Sequence, residues 1–405
     1  MSKVLTALSL FTGAGGLDYG FEAAGFETRV ALELDKLCCS SLEASRRWPV
    51  INEDIHKTPT SVILETSALC VGEVDILIGG PPCQPFSKSG WWAKGDSLRL
   101  DDPRAATLGG YLRVLREVLP RAFLLENVAG LAFEGKNEGL RLLTSTLEAI
   151  NKEAGTKYRP KVLTLNAANY GVPQARSRVF VIGSREGLEF NVPPETHADP
   201  AIASIEGLEP WRTAWDAIGD LGEPQEQGLE LTGKWAALLP SIPEGQNYLW
   251  HTNRMGGMPL FGWRTRYWNF LLKLAKDRPA WTIQAQPGPA TGPFHWRNRK
   301  LSGLELARLQ TFPYDAKILG DRSGVQRQLG NAVPSLLAEV LGREIARQFF
   351  GVQPKTSFPI LLPNRRRDLP PPEPVVDVPS KYHALVGDHA CHPGTGQGPL
   401  HVRLG

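Results

Sequence analysis

The fold is decided around residues 74–87, which read VDILIGGPPCQPFS. The apolar first half predicts a buried parallel strand, and the glycines and prolines that follow predict a tight turn. Cys83 lies in that turn, at the carboxyl end of the strand, where open α/β sheets bind ligands. With no second cysteine beside it, Cys83 is a candidate nucleophile, and a buried structural thiol is the alternative.

Strands and helices alternate on both sides of this stretch. Further strands are predicted near residues 4–10, 30–34, 50, 122–125, 162–166 and 179–182. Helices are predicted near residues 17–24, 36–46, 105–119 and 139–154, with shorter returns near 302–312 and after residue 334. This order predicts an α/β fold built on a doubly wound, mostly parallel sheet.

Ligand-type residues follow three of the predicted strands. A glycine-rich turn at residues 11–16 follows the first strand, Glu33 ends the second, and Asp54 and Ile55 follow the third. Any one of them alone could be a structural turn or a helix cap. Because such features at adjoining strand ends meet at one sheet edge, we interpret them as a nucleoside-binding site. The glycine spacing does not match the dinucleotide fingerprint.

An acid and two arginines are the other candidates for chemistry. Glu126 ends the strand at residues 122–125, on the same predicted edge as Cys83, and is a candidate general acid. A structural carboxylate bonded to backbone amides is the alternative. Arg176 and Arg178 are two residues apart in a predicted strand, so we expect them to point together, toward an anionic or carbonyl partner or toward solvent.

Composition bounds the class of protein. The chain has 405 residues, 42% hydrophobic and 21% charged, which is typical of a soluble globular protein, and its net charge of +3 permits a nucleic-acid partner without requiring one. Its five cysteines show no framework spacing, which predicts a reducing, cytoplasmic location, and its apolar runs are too short for a membrane partner. His383, His389, Cys391 and His392 lack a zinc spacing, so we expect no metal site.

Changes in composition and in predicted regular structure divide the chain into four segments. Residues 1–185 hold the predicted sheet, and residues 279–351 return to regular structure. Between them, residues 186–278 mix tryptophans with basic residues, which suits a nucleic-acid surface or a small core of its own. Residues 352–405 are proline-rich, and we expect an irregular, solvated tail.

Six motifs now stand together in one order, and with them the chain resembles the cytosine-5 DNA methyltransferases of the bacterial modification type. They are LFTGAGG at 10–16, GPPCQPFS at 80–87, ENV at 126–128, QARSR at 174–178, RLQTFP at 308–313 and GNAVP at 330–334. The resemblance implies the sheet of the S-adenosylmethionine-dependent methyltransferases, with a smaller, irregular target-recognition domain. Residues 1–185 and 279–351 would then be catalytic, and residues 186–278 would recognise the target.

The resemblance implies S-adenosyl-L-methionine as the methyl donor. By motif match, the cofactor residues are Phe11, Gly13, Gly15, Glu33, Asp54, Ile55, Pro82, Leu108 and Asn331. Leu34 stands where many members carry a tryptophan, so we expect an apolar contact with the adenine rather than stacking.

The resemblance also implies the chemistry. Cys83 would attack carbon 6 of a cytosine flipped out of duplex DNA, and carbon 5 would then take the methyl group. Glu126 would protonate nitrogen 3, Arg178 would bind the carbonyl oxygen at carbon 2 and orient Glu126, and Arg176 would support the cofactor side. DNA contacts are implied for Gln84, Ser87, Ser89, Arg264, Arg266 and Thr282.

The expected partners are double-stranded DNA and a restriction endonuclease acting on the same site, with the enzyme a monomer in the cytoplasm, associated with the nucleoid. Two alternatives stay open: a transfer-RNA cytosine-5 methyltransferase, and a DNA-binding paralogue without catalysis. The intact Cys83 and Glu126 argue against the paralogue, and the long, basic region at residues 186–278 argues against the RNA enzyme. A dinucleotide oxidoreductase is disfavoured by the glycine spacing.

Overall fold

A seven-stranded sheet forms the centre of the computed structural model, which describes residues 4–82, 106–127, 138–263, 267–387 and 389. The strands in chain order are β1 (Leu5–Leu10), β2 (Phe26–Glu33), β3 (Val50–Asn52), β4 (Ile76–Gly79), β5 (Ala122–Asn127), β6 (Lys161–Asn166), β7 (Gln174–Ala175), β8 (Ser177–Ser184), β9 (His197–Ala198), β10 (Glu209–Pro210) and β11 (Ala280–Trp281). The large sheet has the order β3-β2-β1-β4-β5-β8-β6, and β8 runs antiparallel to both of its neighbours. The predicted α/β fold with a mostly parallel sheet is confirmed.

Helices cover both faces of this sheet. The described α-helices are α1 (Gly16–Ala23), α2 (Lys36–Ser45), α3 (Thr60–Ser67), α4 (Ala106–Val118), α5 (Glu138–Ala154), α6 (Pro200–Glu206), α7 (Ala214–Ile218), α8 (Gly303–Leu309), α9 (Arg322–Asn331) and α10 (Ser335–Phe350). Helix α3 was not predicted, because its consecutive apolar residues hide the helical period and few of its residues are buried. Among the helices that the structure describes, none combines the length and apolar character that a bilayer crossing requires.

The sheet separates two apolar cores. Successive residues of β5 point to opposite faces, so Leu124 joins the core under α1 and α10, while Leu125 joins the core under α4 and α5. Helices α1 and α10 approach closely at Gly20, where an added Cβ would lie 2.4 Å from Ala338 Cβ. Each large side chain buried in these cores contributes roughly 1.5–3 kcal/mol, so the packing fixes the strand ends that carry the site.

A smaller core lies in the irregular part of the chain. Its buried members are Leu238, Leu239, Ile242, Leu260, Leu271, Phe294 and Tyr382. Trp235 packs against this core, whereas Trp268 is exposed. The tryptophans of residues 186–278 therefore divide between the two uses that the sequence left open, a core and a surface.

The C-terminal segment agrees in part with the expectation for it. Residues 352–387 contain little regular structure and most of them are exposed, as expected of an irregular, solvated segment. The contacts that it makes with the rest of the chain were not expected: Tyr382 is only 3% exposed, since proline-rich chain can pack in extended form without strand pairing. Within the described residues, no group of three or more His, Cys, Asp or Glu side chains could hold a metal ion. Cys391 and His392 lie outside those residues.

Candidate active site

Glu126 lies against the turn that leads to Cys83. It stands near the end of β5, beside the end of β4, since Leu125 pairs with Gly79. A Cβ added to Gly80 would lie 3.0 Å from Glu126 Oε2, so the carboxylate touches the start of the turn. The described chain stops at Pro82, which is exposed, and Cys83 lies outside the described residues. The predicted acid and the turn carrying the predicted nucleophile thus share one sheet edge.

Glu126 and Arg178 form an ion pair that is largely shielded from solvent. Arg178 Nε lies 2.9 Å from Glu126 Oε1, and the two side chains are 14% and 12% exposed. Burial raises the pKa of Glu126, and the charges of Arg178 and Arg176 act in the opposite direction. Burial also lowers the pKa of Arg178, against the effect of Glu126. A carboxyl group with a raised pKa, held by a guanidinium, is suited to donate a proton.

Arg176 has other partners. It lies between β7 and β8, is 1% exposed, and donates from Nη1 to Ile283 O at 3.0 Å and from Nη2 to Gly330 O at 2.7 Å. The two arginines therefore have different hydrogen-bond partners, a carboxylate for Arg178 and backbone carbonyls for Arg176, although the charges of both act on Glu126. Its partners are backbone carbonyls, which favours a positioning role for Arg176 over contact with a substrate.

Two buried glutamines, which were not among the predicted site residues, hydrogen-bond to the same segments as Arg176. Gln174 Nε2 donates to Gln310 Oε1 at 3.0 Å, and Gln174 Oε1 accepts from Ile283 N at 3.1 Å. Gln310 Nε2 also donates to Leu329 O. Gln174 lies in the motif QARSR and Gln310 in the motif RLQTFP, so their places in these motifs could have marked them as site residues. A buried amide must find hydrogen-bond partners, and both side chains do so here. Together they join the edge of the sheet to the returning part of the chain.

Replacing Arg176 with methionine should lower the free energy of unfolding by about 2–4 kcal/mol, because the carbonyls of Ile283 and Gly330 lose their donors in a buried place. Urea denaturation of the purified chain measures this change. Arg347→Met is the control, since Arg347 is an exposed arginine paired with Glu344 on α10, and its loss should cost less than about 0.5 kcal/mol. Equal losses in the two variants would contradict the positioning role.

The predicted cofactor residues meet at the neighbouring strand ends. Glu33 Oε2 accepts from Gly13 N at 2.7 Å, and Glu33 Oε1 accepts from Asp35 N at 2.8 Å. Burial raises the pKa of Glu33, while these amide bonds oppose the shift. Phe11 has a φ of +55°, which is uncommon for a residue with a side chain and typical of functional turns. Glu33 is thus hydrogen-bonded directly to the glycine-rich turn.

The turn at residues 330–334 packs against the end of the glycine-rich turn at residues 11–16. A Cβ added to Gly16 would lie 2.3 Å from Val333 O, so this turn touches the start of α1. Asn331, at the end of α9, is exposed beside it. Gly15 has a φ of +85°, and a Cβ there would lie 2.9 Å from a Leu42 methyl, so only glycine fits. Residues from both ends of the chain therefore meet at the glycine-rich turn.

The remaining cofactor candidates lie between β3 and α4. Ile55 is buried and contacts α4, where a Cβ added to Gly110 would lie 2.8 Å from Ile55 Cγ2. Leu108 is buried in the first part of α4. Asp54 is half-buried, and its Oδ1 accepts from His56 N at 2.9 Å. Leu34 is exposed just after Glu33, so an apolar side chain is free to meet a ligand there.

Of the predicted DNA contacts, only Thr282 belongs to the described part of the chain. Thr282 is exposed, and its hydroxyl donates to Ala175 O at 2.8 Å, beside the pairing of β11 with β7. Exposed Trp268, one of the tryptophans of residues 186–278, packs edge-on against Trp281 at 5.6 Å, and Trp281 adjoins Thr282. The other candidates, Gln84, Ser87, Ser89, Arg264 and Arg266, lie outside the described residues.

Comparison with known proteins agrees with the sequence motifs. The family model described as C-5 cytosine-specific DNA methylase matches residues 5–347. The Type II methyltransferase M.SacI of Streptomyces achromogenes is 40% identical over 374 residues, covering 86% of this chain and 94% of that protein. The Type II methyltransferase M1.HphI of Haemophilus parahaemolyticus is 30% identical over 354 residues, covering 85% of this chain and 87% of that protein.

Among solved structures, a putative DNA modification methyltransferase encoded within an Escherichia coli prophage is similar in fold. The match has a TM-score of 0.58 at 23% identity and covers 85% of this chain and 99% of that chain. At this identity the likeness concerns the fold alone. It agrees with the sheet described above.

Proposed function

Because the chain belongs to the C-5 cytosine-specific DNA methylases and is a DNA cytosine-5 methyltransferase, we propose that it methylates one cytosine within a defined duplex sequence. S-adenosyl-L-methionine is the proposed donor, and it supplies the methyl group from its sulfonium. The observation that carries the proposal is Glu126, held by Arg178 at 2.9 Å and lying against the turn that leads to Cys83.

The proposed chemistry begins at Cys83. Its thiolate adds to carbon 6 of the cytosine, because carbon 5 is a poor nucleophile until a group has added next to it. Glu126 donates a proton to nitrogen 3, so that negative charge does not build up in the ring. Arg178 holds Glu126 and reaches the carbonyl oxygen at carbon 2. After carbon 5 has taken the methyl group, loss of its proton to solvent expels Cys83 as the thiolate, and nitrogen 3 returns its proton to Glu126, which restores the ring.

The residues at the strand ends fit the cofactor. An ionised carboxylate offers about four acceptor positions, and the backbone amides of Gly13 and Asp35 occupy one on each oxygen of Glu33. Acceptor positions therefore remain for the hydroxyl groups of a ribose. Ile55 and Leu108 supply apolar surface for an adenine, and Asp54 can accept from its amino group. Phe11, Gly13, Gly15, Pro82 and Asn331 complete the proposed site.

Glu33→Gln should weaken S-adenosylmethionine binding about 10–100-fold, because hydrogen bonds to a charged group are the stronger kind and the new amide would set an N–H against a backbone N–H. Titration calorimetry with the purified chain measures the dissociation constant. Glu27→Gln, an exposed acid on the same strand, is the matched control and should bind normally. Unchanged binding in Glu33→Gln would remove Glu33 from the proposed cofactor site.

Target recognition is assigned to residues 186–278. The target cytosine cannot be reached inside a stacked duplex, so it must be flipped out, with Gln84, Ser87, Ser89, Arg264, Arg266 and Thr282 as the proposed DNA contacts. A long irregular segment carrying aromatic and basic residues suits the reading of base edges in the major groove.

The biological setting is also a proposal. The relatives are named Type II methyltransferases, so we propose that a restriction endonuclease acts on the same site. We propose a monomer that works in the cytoplasm on the nucleoid.

Transfer of labelled methyl groups from S-adenosylmethionine tests the function, with duplex DNA and transfer RNA as parallel substrates. We expect label in DNA only, and bisulfite sequencing of the product should place it at one cytosine of one sequence. Label only in RNA would favour the transfer-RNA alternative. DNA binding without label in either substrate would favour a paralogue without catalysis.

A further inference from the structure

The C-terminal strap, residues 352–387, runs from the catalytic part of the chain to the small core of the recognition region. It lies beyond the residues that match the family, which end at 347. The strap has almost no regular structure of its own, apart from a short 3-10 helix at Ser380–Leu385. Beside hydrogen bonds within itself, the strap contacts other elements at three successive anchors.

The first anchor is helix α10. Buried Glu339 accepts the backbone amides of Ile360 and Leu361 at 2.7 and 2.9 Å, one on each carboxylate oxygen. Arg343, one turn further along α10, donates to Phe358 O at 2.9 Å and to Thr356 O. A buried acid and a buried arginine thus fix the start of the strap to a helix that packs directly on the central sheet.

The second anchor is Asp216 on helix α7, at the base of the recognition region. Asp216 Oδ1 accepts from Arg366 N at 2.7 Å, and Oδ2 accepts from Arg365 Nη1 at 3.1 Å. Arg365 also donates to Trp211 O at 2.8 Å, and Arg366 pairs with Asp220 at 2.8 Å. Two adjacent arginines of the strap therefore contact residues before, within and after one short helix.

The third anchor is the small core itself. Lys276 Nζ lies 2.5 Å from Glu244 and 3.2 Å from Glu373 of the strap. Tyr382 stacks on Trp235 with ring centroids 5.8 Å apart and an interplanar angle of 14°, and its hydroxyl donates to Lys234 O at 2.7 Å. Tyr382, near the end of the strap, is thus part of the small core.

We propose that the C-terminal strap positions the recognition region for target discrimination, with Arg365 and Arg366 as its positioning residues. The inference rests on the proposed role of residues 186–278. The chain enters that region once and leaves it once, and Glu226 of the region also pairs with Arg322 and accepts from Gly303 N, so the strap adds a further set of contacts. Because base-edge hydrogen bonds tolerate little misplacement, loosening the contacts of the strap should weaken discrimination between sequences more than catalysis itself.

The test compares the double variant Arg365→Met/Arg366→Met with Arg367→Met in the full-length chain. Arg367 is the next residue of the strap and is exposed, so its variant reports the effect of losing a positive charge near DNA. The wild-type target is first mapped by bisulfite sequencing. Methylation rates are then measured on duplexes carrying that target or one altered base pair, together with S-adenosylmethionine binding. We expect the cognate-to-altered rate ratio to fall at least about tenfold in the double variant and to stay unchanged in Arg367→Met, with cofactor binding unchanged in both.

Each other outcome overturns the proposal. An unchanged rate ratio, or an equal fall in Arg367→Met, would mean that the strap does not set discrimination. Loss of cofactor binding in the double variant would mean that the strap stabilises the catalytic fold instead. Glu373→Gln, at the third anchor, should lower the ratio in the same direction, and a normal ratio there together with a normal ratio in the double variant would end the proposal. A wild-type chain that methylates no duplex would instead refute the proposed function.

Discussion

Cys83→Ala will abolish methyl transfer to duplex DNA and leave S-adenosylmethionine binding intact. Without the thiol, nothing adds to carbon 6 of the cytosine, and carbon 5 stays too weak a nucleophile to take the methyl group. Loss of the attacking group typically costs at least about 10⁴-fold in turnover, so the expected rate lies at the background of the assay. The nearby Glu126 cannot replace it, because a carboxylate adds poorly to an aromatic ring.

Two measurements make this prediction sharp. Cys70→Ala is the matched control, since Cys70 is an exposed free thiol that precedes β4, and it should retain full activity. A duplex with 5-fluorocytosine at the target should trap the wild-type chain covalently, because fluorine cannot leave carbon 5 as the proton does. Cys83→Ala should form no such adduct. Methyl transfer by Cys83→Ala, or trapping without Cys83, would refute the assigned nucleophile.

Glu126→Gln will lower kcat by about 10²–10⁴-fold, the usual contribution of a positioned general acid. The amide keeps the shape of the side chain but has no proton to donate to nitrogen 3. Glu117→Gln on α4 is the control, because Glu117 is an exposed acid paired with Arg113. Single-turnover rates at saturating DNA separate the chemical step from binding. A Glu126→Gln variant with the rate of Glu117→Gln would remove Glu126 from the mechanism.

The pH dependence gives the same residue a second test. Burial raises the pKa of Glu126, so the proton needed for catalysis is held to higher pH than an ordinary glutamate would hold it. The rate should fall as pH rises through that pKa. The charge of Arg178 lowers the pKa of Glu126, so Arg178→Met should move this fall to higher pH while reducing the maximum rate. A shift to lower pH would contradict the assignment.

The pattern of apolar and polar residues along the chain predicted the strands of the large sheet and the polar residues at their ends. The apolar runs located the strands, and the polar residues at their ends located Glu33 and Glu126, because a strand end is visible in a few neighbouring residues. The partners of Arg176 were not predictable in this way. Ile283 and Gly330 lie more than one hundred residues further along the chain, and only the folded sheet brings their carbonyls to one guanidinium.

The contacts of the C-terminal strap could not be predicted from its composition either. Its composition resembles that of a disordered segment, since prolines and charges dominate residues 363–379. What orders it is a set of acceptors on distant elements, such as Glu339 for the amides of Ile360 and Leu361. Composition describes what a segment can do alone, and it carries no information about the surface that the segment meets.

The packing of α10 on α1 has a consequence for biosynthesis. The apolar sheet face beneath these helices includes Phe180 of β8, yet it is covered only when residues 335–350 have left the ribosome. The roughly 150 residues between β8 and α10 take about 8–30 s to synthesise at ordinary rates. During that interval the nascent chain exposes an incomplete core, so its yield in the cell should depend on chaperones that shield such surfaces.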